Sequence, residues 1–146
     1  MMSRILGNHA DVFTFQELHF FDELVKGEPT DVLSVEQSFQ LYGKLCAVQR
    51  NGYFGDRNPQ PFLAEAKAAL AGKDGISQIE LYKLFCLNES KLRGKSVPCK
   101  QTPQNIFSVA VILDQIPESK ILIMVRDPRE VLLSQKNKWK RRALSG

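Results

Sequence analysis

The run Ile121-Leu122-Ile123-Met124-Val125 carries no charge and is bounded by Lys120 and Arg126. An apolar stretch of that length, rich in branched side chains, is the pattern of a strand covered on both faces of a parallel sheet, and a chain holding one must supply helices to cover it. The residues just after the run mark its end. Asp127 offers a side-chain cap, Pro128 suits a first helical position because its missing N–H would have no partner there, and Glu130 stands at capping-box-like spacing. The sequence therefore predicts a strand over 121–125 and a helix from about 128 toward 140. Arg126 then sits at the carboxyl end of a strand, where open α/β sheets bind ligands, and a guanidinium there points to an anion. Ser134 lies further along the helix, about 10 Å down its axis, so an anion touching both residues runs along the helix flank.

A length of 146 residues accommodates one domain with a core, and 43% hydrophobic with 25% charged residues is globular composition rather than disordered or fibrous. No apolar run approaches the roughly 20 residues that span a bilayer, and MMSRILGNHADVF lacks the apolar segment of a signal peptide. The expected compartment is the cytoplasm as written, or the Golgi lumen if an upstream anchor exists. The formal charge is +4, with Lys136, Lys138, Lys140, Arg141 and Arg142 crowded at the end of the last helix. That cluster reads either as a solvated helix end favoured by the dipole or as an attractor of nucleic acid. Cys46, Cys86 and Cys99 are odd in number with no metal-like pairing, and read as buried or free thiols.

Along the chain, Met1 to Gly7 resembles the last turns of a helix stopping at Gly7-Asn8, and Asp11 to Phe15 alternates as a short strand. The segment Glu17 to Asp22 comes next. Glu17 is chemically suited to accept a proton from a hydroxyl or amine, while His19, among Leu18, Phe20 and Phe21, reads as a second candidate base or as a packing residue. Ser34 with Gln37 at capping-box spacing opens a helix whose inward stripe is Val35, Phe39, Tyr42 and Leu45. Asn51 to Pro61 is a Gly- and Pro-rich loop, and its Tyr53, Phe54 and Arg57 either line an acceptor pocket or fold onto the surface. Helices are expected over Phe62 to Ala71 and from Ser77 to about Leu92, the second with Ile79, Tyr82, Phe85, Cys86 and Leu92 inward. Ser96 to Cys99 reads as a strand delivering Lys100, Gln101 and Thr102, with Thr102 as cap and Pro103 as first residue of a further helix. The expected fold class is α/β, a parallel sheet with helices on both faces in the manner of nucleotide-binding P-loop-like folds.

Arg126-Asp127-Pro128-Arg129 with Ser134, within VRDPREVLLSQKNKWKRR, resembles the 3′-phosphate-binding motif of sulfotransferases that use 3′-phosphoadenosine 5′-phosphosulfate. The resemblance implies that Arg126 and Ser134 hold the 3′-phosphate and that Glu17 is the catalytic base. It further implies that Lys100, Gln101 and Thr102 meet the sulfonate end of the donor. Gln101 separates Lys100 from Thr102, a departure from the commonest family spacing, and either Lys100 or Gln101 can face the sulfonate. The family's Ser/Thr/Gly-rich loop for the 5′-phosphosulfate would precede Met1. Residues 1–146 are therefore expected to be a single, partial domain, with about 34–94 as a helical acceptor-side region and little turnover alone. The acceptor is left open among carbohydrate, peptide tyrosine and small hydroxyl compounds, and no metal is implied. The alternative is a non-catalytic nucleotide- or nucleic-acid-binding module using the basic helix; no nucleic-acid motif accompanies it, and no G-x-x-x-x-G-K-[ST] is present.

Overall fold

The computed structural model describes residues 2–125 and 127–144. Two strands, β1 (Val12–Thr14) and β2 (Val97–Cys99), pair in parallel, Val12 opposite Val97 and Thr14 opposite Cys99. Main-chain bonds lengthen the ladder at both ends, Val97 N–H to the Asp11 carbonyl at 2.8 Å and Phe15 N–H to the Cys99 carbonyl at 3.0 Å. Parallel partners require a long crossover, and here it is helical. Helix α1 (Met2–Gly7) packs on β1; α2 (Val35–Asn51), α3 (Leu63–Ala69) and α4 (Gln78–Lys91) lie between the strands in sequence; α5 (Val109–Gln115) and α6 (Pro128–Leu144) come after β2.

Helices α2, α4 and α6 begin where the sequence places them. Ser34 and Ser77 each accept a hydrogen bond from the backbone N–H three residues on, while Gln37 and Glu80 reach back to the cap residue's own N–H, giving a complete capping box at both starts. Asp127 Oδ1 accepts from the Arg129 N–H at 2.9 Å at the start of α6.

The core lies between β1, the segment after it, α2 and α4. Phe15, Leu18, Phe20, Tyr42, Leu45, Leu81, Tyr82 and Phe85 are all buried there, each contributing roughly 1.5–3 kcal/mol by leaving water. Phe20 stacks on Tyr82 with ring centroids 4.1 Å apart. One charged group lies inside: Glu89 is fully buried and accepts from Arg50 at 2.7 Å and Arg93 at 2.8 Å, and Arg50 also grips Glu65. These paired guanidinium groups make burial of the carboxylate tolerable. Buried Gln78 secures the turn before α2, donating to the carbonyls of Lys26 and Glu28 and accepting from the Lys26 N–H.

Several expectations need correction. Residues 121–125 form no strand; they run irregularly, with side chains exposed. A strand exists by pairing, and among the described residues β1 and β2 are the only strands that pair, so this apolar run has no ladder to join. Val35 and Leu92 are exposed, because each stands at the end of its helix, beyond the inward stripe. Thr102 makes no capping bond, and Pro103–Ser108 winds as a 3₁₀ turn before α5 begins at Val109. All three cysteines are free thiols, and burial pushes those of Cys46 and Cys86 up to about 12.

Candidate active site

Parallel pairing sends the carboxyl ends of β1 and β2 out on the same side, so the residues just past each strand emerge together. Lys100, immediately after β2, donates from Nζ to the Gln16 carbonyl at 2.7 Å, beside Glu17. Gln16 is itself tied to α2, its N–H donating to Gln49 Oε1 at 3.1 Å. The Lys100 side chain lies among groups that cannot solvate it as water does, and burial draws its ammonium down to about 7; nearby Cys86, Glu17 and Asp22 oppose the shift.

After Glu17 the backbone turns sharply. His19 adopts φ 50 and ψ 40, a left-handed conformation that costs a non-glycine residue about 1 kcal/mol or more. Buried Leu18 and Phe20 on either side anchor the turn in the core, and Phe20–Leu24 forms a single π-helical turn, a geometry frequent at functional sites. The imidazole is 8% exposed. Its Nδ1 meets Asp22 Oδ2 at 2.7 Å, its Nε2 lies 3.6 Å from Glu17 Oε2, and the Tyr53 ring covers it at a centroid distance of 4.2 Å. With Asp22 accepting at Nδ1, the opposite nitrogen is directed at the Glu17 carboxylate, which is half open to solvent. Hydrogen bonds from Tyr53 and Arg57 hold the carboxyl of neighbouring Glu23 below the usual range. His19, Asp22 and Glu23 converge in the manner of cation ligands, but their atoms are already committed to these partners.

The structure thus brings Glu17 and Lys100 to one sheet end, with His19 buried beside Glu17 and bonded to Asp22. Gln101 is exposed, so Lys100 is the residue of the two turned toward Glu17. Thr102 is buried and its hydroxyl lacks a hydrogen-bond partner, an orphan that an incoming anionic oxygen would satisfy. Lys100 and Thr102 at one strand end therefore fit the sulfonate end of the expected donor. Ser134 is exposed on α6; Arg126 lies outside the described residues. Asp22, which meets the His19 ring, was not singled out from sequence, although its position three after His19 was a legible signal.

A model of the sulfotransferase family matches residues 1–145, essentially the whole chain. The chain belongs to the sulfotransferase family. Neither a curated protein nor a solved structure gives a match. Membership in this family accords with a mixed α/β domain built on a small parallel sheet and points to transfer of a sulfonate group. No helix among the described residues is long and apolar enough to cross a membrane.

Proposed function

We propose that this sulfotransferase domain moves a sulfonate group from 3′-phosphoadenosine 5′-phosphosulfate to a hydroxyl or amine acceptor, on a sheet of the P-loop-like type. The observation that carries the reading is the Lys100 contact to the Gln16 carbonyl, which sets a cation and the Glu17 carboxylate at one sheet end. Glu17 takes the acceptor proton as a new sulfur–oxygen or sulfur–nitrogen bond forms and the sulfur–oxygen bond to the 5′-phosphate breaks. His19, oriented by Asp22, stands against the Glu17 carboxylate and helps hold it in place for the acceptor. Lys100 and the Thr102 hydroxyl meet the charge that spreads over the sulfonate oxygens. Arg126 and Ser134 are assigned to the 3′-phosphate, where a planar guanidinium can bond two oxygens at once. A Ser/Thr/Gly-rich phosphosulfate loop is not spelled out within residues 1–146, and on this reading turnover by these residues alone is weak.

Calorimetric titration with adenosine 3′,5′-bisphosphate, the desulfonated donor, tests the assignment. Arg126→Ala should weaken binding about tenfold or more, on the order of 1.4 kcal/mol. Equal affinity of variant and parent would overturn the placement of the donor.

A further inference from the structure

The last turns of α2 reach the candidate active site through Gln49, a residue with no acid, base or nucleophile to offer. Beyond the Phe15 N–H bond to the Cys99 carbonyl, side chains take over from the β1–β2 ladder. Gln49 Oε1 accepts the Gln16 N–H at 3.1 Å from the side of α2, and Lys100 Nζ donates to the Gln16 carbonyl at 2.7 Å from the end of β2. That N–H and that carbonyl belong to successive peptide planes, and the second plane leads directly into Glu17. Each plane is rigid. Holding both therefore fixes the two backbone torsions of Gln16 between them, and with these the position from which the Glu17 side chain departs.

Gln49 is itself firmly held. It is buried, Val48 before it lies in the core, and Arg50 after it bonds Glu65 on α3 at 2.6 Å and fully buried Glu89 on α4 at 2.7 Å. The buried ion network, which takes no part in the chemistry, thus locks the helical turn that presents the Gln49 amide. Glu17 is anchored differently. Its carboxylate is half open to solvent, and the 3.6 Å to His19 Nε2 is longer than a hydrogen bond. A carboxylate so loosely held at its tip depends on its backbone for aim.

We propose that Gln49 is a positioning residue that, through Gln16, holds Glu17 and Lys100 in register, an inference that rests on the proposed sulfonate transfer. It acts through the backbone rather than on the reacting atoms. A reacting group misplaced by about 1 Å loses on the order of a hundredfold in rate, so the amide serves the chemical step rather than the affinity for the donor. Lys100 reports on the same clamp. Once the Gln16 peptide is released, its carbonyl no longer tethers Nζ, and the ammonium swings toward water.

Three variants of the full 146-residue chain test this. Gln49→Met keeps the unbranched length and removes the acceptor, Gln49→Asn keeps the amide but falls one methylene short should the first variant not fold, and Gln49→Glu restores an acceptor oxygen. In Met and Asn, NMR should show amide exchange at Gln16 faster by about tenfold or more and a displaced carboxyl carbon resonance for Glu17. Pulse acetylation should show the Lys100 midpoint rising by about 1 pH unit from about 7, with Lys95, which bonds the His9 carbonyl elsewhere, unchanged. Gln49→Glu should return Gln16 exchange to the parent's rate. Faster exchange at Gln16 with Glu17 and Lys100 unmoved would reduce Gln49 to the partner of one buried N–H and overturn the proposal, as would unaltered exchange at Gln16. Adenosine 3′,5′-bisphosphate titrated into the same samples separates the two readings. Equal affinity in parent and Gln49→Met is the expected result, and nucleotide bound by none of the proteins removes the donor reading, and the role proposed for Gln49 with it, whatever Lys100 does.

Discussion

Asp22 Oδ2 lies 2.7 Å from His19 Nδ1, and the opposite ring nitrogen lies 3.6 Å from the carboxylate of Glu17. Three carboxylates therefore surround one imidazole: Asp22 closely bonded and largely covered, Glu23 further off at 3.9 Å from the same nitrogen, and Glu17 on the opposite nitrogen and half open to solvent. The covered carboxylate orients the ring, and the open one is free to meet an acceptor.

Glu17→Gln should lower kcat for sulfonate transfer about a hundredfold or more, the scale of a lost general base, with little change in KM. Asp22→Asn should produce a smaller loss, on the order of tenfold, because the amide still fills the space but holds the ring's orientation less firmly. Steady-state rates across pH decide between them. Equal activity of Glu17→Gln and parent would remove Glu17 from the mechanism.

Lys100 should be the most reactive lysine near neutral pH. Burial holds its folded pKa at about 7 against an ordinary 10.5, so pulse acetylation across pH, read residue by residue by mass spectrometry, should give it a midpoint near 7.

The same shift has a consequence for stability with a definite sign. Between about pH 7 and 10.5 the unfolded chain binds a proton at Lys100 that the folded chain has released, so this residue's contribution to stability rises with pH through that window. Below it both states carry the proton and the folded state bears the full cost of the buried charge. Lys100→Met should therefore gain most, relative to the parent, at about pH 6 and progressively less toward about pH 10, as urea midpoints will show.

Arg50→Met should destabilise the domain by about 2 kcal/mol, since it deprives fully buried Glu89 of one of two cations and leaves Glu65 unpaired. Glu65→Gln removes only the more exposed half of the network and should cost less than about 1 kcal/mol. Chemical denaturation of the two variants checks the order, and a larger loss for Glu65→Gln would contradict the account of Glu89.

Much of this was legible in the sequence because it depends on neighbours a few residues apart. Ser34 with Gln37, Ser77 with Glu80, and Asp127 before Pro128 all start helices as read, since a cap is satisfied within one turn. The short strands at Val12 and Val97 were legible from their composition and flanking turns. Glu17 and Lys100 were each singled out from sequence as candidates, but not their meeting.

Pairing across the chain was decided only by tertiary structure. The apolar run at 121–125 has strand composition, yet a strand needs a neighbour's N–H and C=O groups, and none is offered to it among the described residues. Thr102 reads as a cap, but the 3₁₀ turn after it leaves its hydroxyl buried and orphaned. His19 reads equally as core or catalyst from its apolar neighbours; its left-handed backbone, the Asp22 contact and the cover of Tyr53 settle its surroundings. Sequence by itself determined which segments coil, where they stop and which residues carry reactive chemistry, because those depend on local backbone sterics and side-chain type. The tertiary structure decided which of those residues share a site, because proximity across 84 positions, as between Gln16 and Lys100, is set by the register of two parallel strands and by no local preference.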